Sequence, residues 1–195
     1  FDAIRGNISE IKTLASLCGT QEKNSGNMAV SDTMDVEKIT DKSDHCGKIT
    51  GIDGSGRGVD ADNADTVTEE NLAQHISNAK MLSKKLQTIV AITGAIDLVT
   101  DGSSCYVIRN GNPQMGHVTG AGCQLSGILT AFLAANPENK LQAAAAAVCM
   151  MGYAGELAAE KSGQSGSGTY RVSLMDAVSC MDGDILERGA RYEIR

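Results

Sequence analysis

No apolar run in this 195-residue chain comes near the roughly 18 residues that suggest a membrane span. The longest nearly apolar stretch lies around Ala143 to Gly152. No secretory pattern opens the chain. Basic residues are the minority, with 17 Lys+Arg against 24 Asp+Glu and a formal net charge of -7. Nucleic acid and anionic membranes present phosphates that call for a basic patch, so this balance argues against both. It leaves room for a local basic site that holds one phosphate-bearing ligand. CxxC pairs are missing too: Cys18, Cys46, Cys105, Cys123, Cys149 and Cys180 are scattered singly. A chain of this length does not need disulfides, and reduced thiols in a cytoplasmic protein are expected. Neither His45-Cys46 nor any other cluster has a usable zinc spacing.

Hydrophobic residues make up 42% and charged residues 21%, enough for a sizeable core in one domain spanning 1–195. The chain opens at Phe1 directly on what reads as the end of a strand, FDAIRGN, with no initiator Met and no polar lead-in. The expectation is a chain whose N-terminal part is missing.

A turn at Gly6-Asn7 leads to a helix carrying Ile8, Ile11, Leu14 and Ala15, with Asn7 or Ser9 as its cap. From about 19 to 65 the chain turns rich in Gly, Ser, Asp and Asn, which predicts a long polar surface loop. Three apparent motifs there fail. Gly47-Lys48 lacks the rest of a phosphate-binding loop, and no strand leads into Gly54, Gly56 and Gly58. Asp60, Asp62 and Asp65 start like a calcium loop but carry Ala64 and Asp65 where a ligand and a glycine belong. Thr66 to Glu69 fits a capping box ahead of a helix bearing Leu72, Ile76, Ala79, Leu82 and Leu86. Thr88 to Thr93 reads as a strand buried on both faces. Two hairpin-type turns follow, at Asp101-Gly102 and Asn110-Gly111. Helices are expected over Leu125 to Leu133, Lys140 to Lys161 and Val172 to Met181. Together these elements predict an α/β fold with a largely parallel sheet.

The residues that carry chemistry are His117 to Cys123, read as a strand-to-helix junction. Gly120, Ala121 and Gly122 let a phosphate come close to the backbone. The first amides of the helix have no intrahelical acceptor, so they form an anion hole. Cys123 falls at the helix N-terminus, where a thiol pKa tends to drop. On spacing alone a second reading stays open, a tight glycine turn over a buried thiol.

These blocks resemble the hydroxyethylthiazole kinase family of the ribokinase-like superfamily. The likeness rests on Ile4-Arg5-Gly6-Asn7 with Glu10, Ala91 to Gly94 with Asp97 following, and Val118 to Cys123. Gly166, Gly168 and Tyr170 are similar to the family's late glycine loop, with Ser167 where Pro or Thr is more usual. Sugar and pyrimidine kinases of the superfamily usually end the glycine turn with Asp, and Cys123 instead points to the thiazole branch.

The resemblance implies a three-layer ribokinase-like fold with a largely parallel central sheet, incomplete at its N-terminus. It also implies ATP-dependent phosphorylation of 4-methyl-5-(2-hydroxyethyl)thiazole in thiamine salvage, with Mg²⁺ as cofactor. By the same likeness Arg5 and Thr93 contact ATP, and Glu10 helps hold Mg²⁺. Gly120 lines the thiazole site, Ala121 and Gly122 form the anion hole, and Cys123 is at the reacting hydroxyl. The partners implied are small molecules and, in a complete enzyme, a homotrimer with its thiazole site at the subunit boundary. The family's chain begins with a further block that supplies first strands, part of the thiazole pocket and a metal-side carboxylate. The alternatives are a hydroxymethylpyrimidine kinase, an NAD(P)H-hydrate dehydratase, a non-catalytic nucleotide-binding or subunit-pairing domain, or an unstable truncation product.

Overall fold

The structure is a computed structural model that describes residues 2–18 and 66–195. The expectations for the 19–65 segment, including His45-Cys46, Gly47-Lys48, the 54–58 glycines and the aspartates 60–65, lie outside the described residues. In chain order the elements are β1 (Ala3–Asn7), α1 (Ile8–Leu17), α2 (Leu72–Leu86), β2 (Ile89–Thr93), β3 (Asp97–Thr100) and β4 (Cys105–Ile108). A 3-10 helix (Pro113–His117) follows, then α3 (Ala121–Ala135), α4 (Lys140–Ser162), α5 (Ser167–Cys180), α6 (Gly183–Gly189) and β5 (Tyr192–Ile194).

Strand alternation divides the core into two. Val90, Ile92, Leu98 and Val107 point to one face of the sheet, where they pack with Ile8 and Ile11 of α1 and Leu72, Ile76 and Leu82 of α2. Ile89, Ala91, Val99 and Ile108 point to the other, against Leu125 and Leu129 of α3 and the alanine-rich side of α4. With a side-chain period of two, both faces of β2 and β3 must be apolar, and both are covered by helices. The result is three layers, helix–sheet–helix.

The sheet order is β1-β2-β3-β4-β5. The expectation of a largely parallel sheet is corrected here. Among the described strands only β1 and β2 run parallel; the β2–β3, β3–β4 and β4–β5 pairs are antiparallel. The links explain this. β2 and β3 are joined through Gly94 to Ile96, and β3 and β4 through Asp101 to Ser104. Connections that short close hairpins, whereas a parallel return needs a crossover of a dozen residues or more. In the second hairpin Asp101 Oδ1 accepts the amides of Ser103 and Ser104, and Gly102 adopts φ +91°. Helix-free apolar runs such as Thr88–Thr93 report burial on both faces and carry no information on strand direction.

Smaller departures have local causes. The capping box expected at Thr66–Glu69 does not form: α2 starts at Leu72, and Asn71 ties back the preceding turn, accepting from the Thr68 amide and donating to the Thr66 carbonyl. Helix α5 begins five residues before Val172, and α6 and β5 were not anticipated. Helix α4, at 23 residues with a mean hydropathy of 1.2, is long and apolar enough to cross a membrane by length and composition. Of its apolar 18-residue stretch 67% is buried inside the protein, packed on α3, α5 and the sheet, as in a core helix. The five cysteines among the described residues are all unbridged.

Candidate functional site

At the same end of the sheet, β1 and β2 deliver Gly6, Asn7 and Thr93 beside the start of α3. Ligand sites of open α/β sheets form beyond the carboxyl ends of parallel strands, and the one parallel pair here supplies such an end. A cleft of about 520 Å³ opens there, within the range of small-molecule sites. Arg5, Thr93, Gly94, Asp97, Ala121 and Gly122 line its polar part; Met115, Leu125, Val148, Met151 and Gly152 supply apolar surface.

Arg5 is held by two hydroxyls. Its Nε donates to Ser126 Oγ at 3.1 Å and its Nη1 to Thr93 Oγ1 at 3.3 Å. Ser126 Oγ in turn donates to the Gly122 carbonyl at 3.1 Å, so α3 carries both the glycine turn and the anchor of the arginine. One helical turn separates Gly122 from Ser126, which puts them on one face. A Cβ on Gly122 would come within 3.2 Å of the Arg5 guanidinium. A side chain there would press on the guanidinium and displace it by a few tenths of an ångström or more. At Gly120 the reason for glycine is conformational: φ is +92°, left-handed, with open space around it.

The start of α3 differs from the sequence reading in two respects. Residues 113–117 form a 3-10 helix, so the turn is entered from a helix and not from a strand. Pro113 fixes φ for that tight turn, and Asn112 caps it by accepting the Gln114 amide. The Ala121 amide is also occupied, donating to the Val118 carbonyl at 3.2 Å. Gln124 is the first residue whose amide closes onto Gly120. The amides between them, of Gly122 and Cys123, have no acceptor among the described residues, and no side chain caps this end.

Of the expected site residues, Arg5, Thr93, Ala121 and Gly122 line one cleft, and Gly120 immediately precedes it as the cap of α3. Cys123 and Glu10 are not among the cleft's lining residues, and the Cys123 side chain is exposed. The alternative of a thiol buried beneath the turn is thereby set aside; Val118 is the buried residue there. Glu10 is the third residue of α1. Its Oε2 accepts the Asn7 amide at 2.8 Å while Asn7 Oδ1 accepts the Glu10 amide at 2.9 Å, a complete capping box.

Three contributors were given no site role by the sequence reading, although Asp97 stands in one of its motifs. Ser126 had a signal, its one-turn spacing from Gly122. Asp97 lies on the cleft with its side chain buried, and Oδ1 accepts the Gly94 amide at 2.8 Å. Burial pushes its pKa up to about 7, against the opposing pull of that hydrogen bond and of Arg5. The third is the wall at 110–112. Buried Asn110 donates to Glu156 and to the Gly189 carbonyl and accepts the Arg191 amide; Glu156 takes the Gly111 amide and a two-pronged contact from Arg191. Gly152 lets α4 press against this turn, since a Cβ would meet the Asn110 carbonyl oxygen at 2.6 Å. Residues up to 81 apart in sequence make this network, which local pattern cannot reveal.

Comparison with known proteins agrees with the motifs. A model described as "HK: Hydroxyethylthiazole kinase family" matches residues 32–184. The chain is 41% identical over 194 residues to the hydroxyethylthiazole kinase of Clostridium acetobutylicum, covering 99% of this chain and 58% of that protein. It is 33% identical over 196 residues to hydroxyethylthiazole kinase 2 of Methanosphaera stadtmanae, again covering 99% and 58%. Among solved structures, that of a hydroxyethylthiazole kinase protein from Pyrococcus horikoshii OT3 superposes with a TM-score of 0.68 at 22% identity, covering all of this chain and 55% of that one. That likeness establishes the fold alone. The chain thus spans 58% of the length of these two curated relatives. By the extent of the family match and by its identity to these relatives, the chain belongs to the hydroxyethylthiazole kinase family.

Proposed function

We propose that this chain is the nucleotide-binding part of an ATP-dependent kinase with a ribokinase-like fold, acting on the alcohol of 4-methyl-5-(2-hydroxyethyl)thiazole in thiamine salvage. The observation that carries this reading is the uncapped start of α3, with two open amides and the Arg5 guanidinium packed beside Gly122. In the reaction the alcohol oxygen bonds to the γ-phosphorus, the bond to the β-phosphate oxygen breaks, ADP leaves and the hydroxyl proton is released. Such a transfer needs positioning and charge stabilisation more than covalent help.

Arg5, pre-oriented by Ser126 and Thr93, presents its fork to phosphate oxygens. The Gly122 and Cys123 amides hold the charge on the transferred group, aided by the positive end of α3. Gly120 and the turn around it border the alcohol, and the exposed Cys123 thiol aligns the hydroxyl beside the transferring group. The apolar surface of Met115, Leu125 and Met151 suits a flat base.

The donor chemistry at Glu10 fits Mg²⁺: it is an exposed carboxylate with only Oε2 committed, to the Asn7 amide, and Mg²⁺ is commonly held by one or two carboxylates with substrate phosphates. When bound there, Mg²⁺ would neutralise phosphate charge. A homotrimer and a cytoplasmic location belong to the same proposal.

The test is phosphorylation of the thiazole alcohol by ATP and Mg²⁺ in the protein isolated from its source, with intact mass and oligomeric state measured on the same sample. Thiazole phosphate formation without phosphorylation of a hydroxymethylpyrimidine supports the reading. Transfer to the pyrimidine alone would overturn it.

A further inference from the structure

A cleft meant for a polyphosphate is an unfavourable place for a buried carboxylate, yet Asp97 lines this one. Among the described residues it has no cation in contact. Arg5, whose charge acts on it, makes its hydrogen bonds to Ser126 and Thr93, and Asp97 Oδ1 is committed to the Gly94 amide. Its Oδ2 makes no hydrogen bond among the described residues. β2 has no ionisable side chain, and Asp97 pairs in the sheet with Ile108. From α4 the Cys149 thiol senses the same charge, which helps raise the thiol's own pKa. Among the described residues Arg5 on β1 is thus the positive group acting on Asp97.

A phosphate that takes up the Arg5 charge removes that support and brings further negative charge, so an ionised Asp97 becomes still less favourable. We infer that Asp97 is a further binding residue of this cleft: it takes up a proton when a polyphosphate enters and offers its neutral carboxyl as a hydrogen-bond donor. The inference rests on the proposed phosphate role of the cleft. It is given room by the free form, in which burial already holds the carboxyl near neutrality, at about 7. The sign follows directly. A proton taken up on binding means affinity is highest at low pH and falls as pH rises through and above neutrality.

The experiment compares ATP affinity of the intact protein with that of Asp97→Asn from pH 6.5 to 8.5. Asn retains an acceptor for the Gly94 amide and has no ionisation. The expected result is about a tenfold weakening across this range in the parent, the scale of one linked proton over the steep part of its titration, and a markedly flatter profile in the variant. ATP's own titration is common to both proteins and cancels. Calorimetry of the parent at pH 8 in two buffers of different ionisation enthalpy checks the same point without a variant. A site with a cationic fork keeps ATP deprotonated, so net proton uptake there comes from the protein. Saturable ATP binding with parallel profiles, or with no uptake, overturns the inference alone. If neither protein binds ATP, the phosphate reading falls and takes this inference with it.

Discussion

Two helices begin at the same end of the sheet and finish their backbone differently. At α1, Asn7 and Glu10 satisfy each other's amides in a capping box, and the helix end is closed by its own side chains. At α3, Gly120 has no side chain to offer, Ala121 turns back to Val118, and the amides of Gly122 and Cys123 stay open. The same four orphan donors exist at every helix start. Which residues precede them decides whether they serve stability or a ligand. α1 uses two of them on its own N-terminus, while α3 leaves the Gly122 and Cys123 amides open next to Arg5.

The largest effect is expected from closing the open end. Gly122→Val puts a branched side chain where a Cβ alone already approaches Arg5 at 3.2 Å. It should weaken ATP binding by about a hundredfold, comparable to losing a donor from an anion hole, as read by calorimetry. Arg5→Lys keeps the charge but loses the fork and its contact with Ser126; about tenfold weaker binding is expected, since the planar bidentate geometry is lost. Cys123→Ala removes an exposed side chain from outside the cleft lining and leaves its amide in place. It should change ATP affinity by no more than about twofold while lowering turnover, a split visible in KM against kcat. The smallest ligand effect belongs to the closed end. Asn7→Ala should cost about 1 kcal/mol of stability, lowering Tm by a few degrees, with ATP affinity unchanged in the absence of metal. Asp97 adds a pH test on the free protein. Its folded pKa is raised to about 7, so the stability linked to its neutral form is present at low pH and lost as pH rises through 7. Thermal melts of Asp97→Asn should lack that decline.

The contrast between the two helix ends was partly legible in the sequence. Asn7 as cap and the glycine turn at 120–122 are local statements, and local rules reach them. A continuous apolar run rich in β-branched residues likewise locates β2, because burial on two faces leaves its mark on one segment. Direction is legible only in part. The helix before β2 points to the parallel pairing that β2 makes with β1, and Asp101-Gly102 is the hairpin turn it reads as. Asn110-Gly111, by contrast, leads into a 3-10 helix and closes no hairpin, and the β2–β3 turn at 94–96 leaves no clear local mark. α6 and β5 are short, at seven and three residues, too few for a periodic pattern, and β5 exists because β4 offers it an edge. The partners of Arg5 come from residues 88 and 121 positions away. Such contacts need the fold before they can be seen, and the same holds for the burial of Asp97 on the cleft and for the Asn110–Glu156–Arg191 wall.

The most direct test is an amide NMR titration of the ¹⁵N-labelled protein with ATP. The account predicts large shifts at Gly122 and Cys123, with Ile8 to Glu10 at the capped end of α1 moving little in the absence of metal. Equal shifts at both helix ends, or none at Gly122 and Cys123 while ATP saturates the protein, would contradict it.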